Sequence, residues 1–168
     1  MPAQRKIARM AATFYALNIV TILMSILLRH SVSLHQPLQI ISTACSIVVA
    51  ALLYEVLKPV DEALSLVAAF FRLTACSTAL VGYVFKPAAN MVIILFGFHF
   101  IVIGSLIFRA GYRVLGALAT FAGCAALIFF APPIATPLFP YFAAVGLVTE
   151  LSVTAWLSTA RFDRGPWV

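Results

Sequence analysis

Charge is what this sequence has least of. Five acids and eleven lysines and arginines make up 10% of its 168 residues, against 64% hydrophobic. A soluble domain carries about 25% charged residues, so this chain cannot coat a water-soluble surface and has no room for a second, soluble domain. A low-complexity linker is also missing. The cysteines, Cys45, Cys76 and Cys124, fall inside apolar runs at unrelated spacings. With no C-x-x-C pair and no Cys/His cluster, a zinc or dithiol motif is excluded and small packing residues remain. Gly-rich phosphate loops, H-E-x-x-H and paired carboxylates are absent as well. The net charge of +6 gathers on no basic arm or stripe, so no nucleic-acid partner is expected.

What is present is apolar length. Cut at its charges and prolines, the chain falls into six segments of spanning length, 10–29, 38–57, 63–85, 91–108, 114–131 and 141–160. The expectation is an all-α, six-transmembrane-helix bundle forming a single integral membrane domain over 1–168. The breaks between segments are short, which forces antiparallel neighbours and leaves no space for a catalytic domain. The basic stretch MPAQRKIARM leads into the first apolar segment with no small-x-small site after it, the pattern of an uncleaved signal-anchor helix. Arg5, Lys6, Arg9, Lys58, Arg109, Arg113, Arg161 and Arg164 fall on one side, Arg29 and Lys86 on the other. The positive-inside rule then makes both termini cytoplasmic. Trp156, Trp167 and Tyr112 fit an inner aromatic belt, Tyr83 and Tyr141 an outer one. The proline-rich segment 132–140 reads as an outer loop, resting among headgroups or contacting a partner.

A few polar residues stand at mid-depth. Arg72 lies about 13 Å along the third span at ~1.5 Å per residue, near the centre of a ~30 Å core. A charge there costs ~2.5–3.5 kcal/mol and needs a partner. Ser65, Ala68, Ala69, Ala75, Cys76 and Ala79 share its helix face, with Val67, Phe70 and Val81 opposite, so Arg72 should point inward. Glu150, on a face with Ala143, Gly146 and Thr154, comes out at the same depth in the sixth span, and an Arg72–Glu150 ion pair is expected. His99 is central in the fourth span, though its neighbours do not fix which way it faces. Asn18 lies on a stripe with Ala11, Tyr15, Thr21 and Ser25; Gln39, Thr43, Ser46 and Tyr54 form another. The candidate mid-membrane site is Arg72, Glu150, His99, Asn18 and Thr154. Gly116, Thr120 and Cys124, with Ala119 and Gly123, have the small-xxx-small spacing of close helix packing.

Four stretches carry a resemblance: ARMAATFYAL (8–17), ALLYEVLKPVDEALSLVAAFFRL (51–73), FGFHFIVIGSLIFRAGYRVLGAL (96–118) and ELSVTAWLS (150–158). Their order and junctions resemble the domain-of-unknown-function 4386 family of bacterial membrane proteins, of which this chain would be a shortened member. The resemblance implies a multi-pass protein of the bacterial inner (plasma) membrane and places Arg72, His99 and Glu150 inside family-like stretches. It implies no activity.

Three readings of function follow. The first is a non-enzymatic subunit or scaffold whose polar layer is structural. The second is a small-solute or proton-coupled transporter using that layer. The third is a membrane-embedded enzyme or cofactor binder centred on His99. Ser46, His99 and Glu150 can be grouped as nucleophile, base and acid, but nothing in their spacing demands it. No metal or cofactor is expected: a haem would want a second histidine at the depth of His99, and His30 and His35 fall at the outer end. The expected partners are the lipid bilayer and a protein partner or second copy, met through helix faces or the 132–140 segment.

Overall fold

In lipid a backbone must satisfy its own N–H and C=O groups, so apolar runs of this length become helices. The computed structural model describes residues 2–28, 30–85 and 89–160. Arg29, Lys86, Arg161, Arg164 and Trp167 lie outside the described residues, as does the side chain of Tyr83. Among the described residues there is no strand, and six α-helices follow one another: α1 Pro2–Leu27, α2 Val32–Leu57, α3 Glu62–Phe85, α4 Ala89–Arg109, α5 Arg113–Ala126 and α6 Pro132–Thr159. Each is long and apolar enough to cross a membrane, α5 when continued through the 3-10 turn Leu127–Phe130. The protein is an all-α, multi-pass membrane bundle.

Two expectations need correction. The segment 132–140 is no loop: it is the first third of α6, with Pro137 and Pro140 inside the helix. Pro132 begins the helix, where a missing N–H costs nothing, and Pro133, Pro137 and Pro140 are all exposed. Their i, i+4, i+7 spacing confines the lost hydrogen bonds to one outward face. Trp156 is buried in the core against Tyr112, ring centroids 5.4 Å apart, and so does not join an interfacial belt.

The helices close into a ring. Each packs on its neighbour in sequence, and α6 returns to pack on α1. At one end the ring is filled. Tyr15, Val49, Leu53, Val56, Leu57, Ile103, Leu106, Ile107, Val153 and Leu157 form one continuous buried cluster. That end is also pinned by polar contacts. Asp61 accepts from the Leu64 N–H at 3.0 Å and so caps α3, while its second oxygen meets Arg109 of α4 at 3.0 Å. Glu62 takes Lys58 at 3.2 Å, and this hydrogen bond holds the exposed lysine amine above its ordinary pKa.

Hairpin α4–α5 is the tightest part of the ring. A Cβ placed on Gly116 would lie 2.6 Å from the Gly104 carbonyl oxygen and 2.6 Å from the Phe108 nitrogen. One placed on Gly123 would lie 2.7 Å from the Ile101 nitrogen. The small-residue spacing read from the sequence is therefore a backbone-to-backbone seam. Its connection turns at Gly111, φ +90°. There the Tyr112 N–H reaches the Ile107 carbonyl and the Gly111 N–H that of Phe108, both at 3.1 Å, a Schellman ending that favours glycine.

Candidate functional site

Arg72 is 0% exposed. The small face of α3 carries it inward as the helical wheel requires: Ser65, Ala68, Ala75 and Cys76 are buried, Val67, Phe70 and Val81 exposed. Its Nε donates to Ser46 Oγ of α2 at 3.0 Å. Nη1 donates to the Tyr15 hydroxyl of α1 at 2.8 Å and to His99 Nε2 of α4 at 3.1 Å. The guanidinium carbon lies 4.7 Å from the Tyr15 ring centre and 5.6 Å from that of Phe96. One cation thus ties α1, α2, α3 and α4 together.

His99 is 1% exposed and faces this cluster, the orientation its sequence neighbours left open. Its Nδ1 lies 2.8 Å from the Ala68 carbonyl oxygen. A carbonyl only accepts, so Nδ1 carries the hydrogen and Nε2 is left as the acceptor for Arg72. Ser46 and His99 therefore both receive hydrogens from Arg72, and the nucleophile–base contact imagined from the sequence is not assembled.

The expected Arg72–Glu150 ion pair is not formed. The two groups interact electrostatically, yet among the described residues no hydrogen bond or ion pair reaches the Glu150 carboxylate, and Arg72 Nη2 is buried with no hydrogen-bond partner. The reason is lateral. Helix α6 packs on α1 and α5, whereas α3 packs on α2 and α4, so their helices stand across the ring from each other. Arg72 can do without the pair. Charge-assisted hydrogen bonds contribute ~1.5–3 kcal/mol each and a desolvated cation–π contact about 2 kcal/mol, enough together to offset ~2.5–3.5 kcal/mol of insertion cost.

Glu150 instead lines a half-enclosed cavity of about 600 Å³. The cavity occupies the half of the ring away from Asp61 and Arg109. One wall is polar and comes from α1 and α2: Asn18, Ser25, His35, Gln39, Ser42, Thr43 and Ser46. The other is largely apolar and comes from α4, α5, the 3-10 turn that follows it and α6, including Phe96, Phe100, Phe129, Phe139 and Phe142. On the polar wall Ser42 Oγ donates to Asn18 Oδ1 at 3.0 Å, and His35 Nδ1 lies 2.9 Å from the Ser25 carbonyl at the outer end. Cys76 and Ala79 of α3 complete the lining beside Arg72.

The structure thus divides the sequence-derived site. Arg72 and His99 meet directly. Asn18 and Glu150 belong to the cavity. Thr154 bonds the Glu150 carbonyl of its own helix at 2.7 Å and meets neither group. The sequence reading missed Tyr15 and Ser46 as partners of Arg72, though both sit on the polar stripes it described. It also missed Ser42 and the cavity itself.

Residues 29–93 match the family described as a domain of unknown function, DUF4386. The resemblance read from the sequence is shown for this segment, which runs through α2 and α3 into the start of α4 and holds Ser42, Ser46 and Arg72. No curated protein and no solved structure matches the chain.

Proposed function

We propose that this membrane protein binds a small solute inside the bundle, as a small-solute transporter does, and that the cavity ending at Glu150 is the solute site. The observation that carries the reading is the cavity itself. It has room for a molecule of ordinary metabolite size, and it joins hydrogen-bonding side chains on one wall to aromatic ones on the other. The Arg72 cluster takes a positioning part: it fixes four helices around the base of the chamber, which is what remains here of the scaffold reading. Arg5, Lys6, Arg9, Lys58, Arg109 and Arg113 belong to the filled end, and the positive-inside rule makes that end cytoplasmic. The cavity then opens outward from a plasma membrane, and both termini are inside.

The test uses the full chain in lipid nanodiscs, screened for small amphiphilic solutes that raise its unfolding temperature. Gly146 lines the cavity, and a Cβ there meets nothing within 4 Å, so the indole of Gly146→Trp should enter the chamber and take up part of it. Solutes that stabilise the protein should lose that effect in this variant. If every stabilising solute acts equally on both, the cavity is not their site and the proposal fails.

A further inference from the structure

We infer that the solute is an organic cation, an amine or quaternary ammonium carried on an apolar or aromatic body. This rests on the cavity being a solute site and adds what that site takes. Glu150 offers the wall a carboxyl group to which no described side chain donates a hydrogen bond, and which the Arg72 charge reaches only through space. The same cavity is lined by aromatic rings, with Phe96 and Phe100 one turn apart on α4 and Phe129 and Phe142 packed edge to face at 5.5 Å. A carboxylate among aromatic faces is the chemistry that selects an ammonium over a neutral group of the same shape, because both the charge and the ring quadrupoles attract it.

The neighbouring charges point the same way. Arg72 is not on the wall: it lies behind Ser46 and Phe96, enclosed and covered by the Tyr15 ring. An anionic solute would meet Glu150 before it could reach Nη2. A neutral solute would at most donate a hydrogen bond to Glu150 and would gain nothing from the ring quadrupoles. Of the other titratable groups on the wall, Cys76 is a buried thiol beside Arg72 and His35 is held by Ser25 at the outer end. On the polar wall, Ser42 and Asn18 already pair with each other, so they provide width and hydration rather than a competing charge. Of the three, a cation alone gains from both the Glu150 charge and the rings.

The test is charge-selective labelling of Ala79→Cys, which lines the cavity, in a background with Cys45, Cys76 and Cys124 replaced by alanine. Ala143→Cys serves as a second position in case the first does not fold. The reagents are the trimethylammonium-ethyl and sulfonatoethyl methanethiosulfonates, each rate divided by its rate on a free thiol. The cationic reagent should be favoured by about tenfold or more, Glu150→Gln should abolish that preference, and benzyltrimethylammonium should slow labelling where benzyl alcohol does not. Labelling with no charge preference, or a preference that survives Glu150→Gln, overturns the cation inference and leaves the cavity reading standing. No labelling at either position by either reagent overturns both.

Discussion

Removing Arg72 and removing one of its acceptors should have unequal consequences, because a buried donor without an acceptor costs more than a buried acceptor that keeps another partner. Tyr15→Phe takes the hydroxyl from Nη1 in a group whose Nη2 already lacks a partner. The expected loss is about 1–3 kcal/mol. Arg72→Met removes the charge: His99 keeps the Ala68 carbonyl, Ser46 and Tyr15 can bond each other or water, and Glu150 loses only a through-space attraction. The variant also removes the cost of holding a charge out of water, so Arg72→Met should cost under about 1 kcal/mol. Adding it to Tyr15→Phe should recover most of the loss. Reversible unfolding in mixed micelles, run as a double-mutant cycle, measures this; if Arg72→Met alone proves the more damaging change, Arg72 does more than tie helices together.

At the scale of elements, the α4–α5 seam should tolerate no added carbon. Gly116→Ala puts a methyl into the Gly104 and Phe108 backbones at 2.6 Å, neither of which can yield without parting the helices. A loss of about 1–3 kcal/mol follows. Gly146→Ala meets nothing and should gain up to about 1 kcal/mol from helix propensity; unfolding midpoints of the two variants compare them directly. This seam was legible in the sequence, since small residues at helical spacing in an apolar run have little other use. The inward face of α3 was legible for the same reason, because Ala68, Ala75 and Cys76 surround Arg72 in a helix otherwise bearing Phe and Val. Depth along a span is only one coordinate of two. Counting residues gives Arg72 and Glu150 one expected level, and the order of helices around the ring, which sequence does not give, sets them apart. His99 could not be oriented, because Leu95, Phe96, Ile103 and Leu106 suit either a lipid face or a core. The prolines of 132–140 misled, because their breaking power lapses at a helix start and along one exposed face.

The whole molecule is a ring filled at one end and hollow at the other, and α2 runs through both halves. Its residues Gln39, Ser42 and Ser46 line the cavity; Val49 and Leu53 are sealed in the core cluster. Cysteines placed one at a time at Gln39, Ser42, Val49 and Leu53 should therefore show a step in reactivity toward a water-soluble, membrane-impermeant thiol reagent. The step should fall between Ser42 and Val49, with labelling slower by at least about a hundredfold beyond it, as expected when exposure needs opening that costs about 3 kcal/mol. The side of addition tests the orientation in the same measurement. Reagent supplied outside intact cells should reach Gln39→Cys and Ser42→Cys, because the basic residues assign the filled end to the cytoplasm. Labelling that enters only from the inner face of inverted vesicles would reverse the topology. Labelling that extends through Leu53 from the outside would mean that the packed end opens readily, and a chamber open at both ends holds no solute.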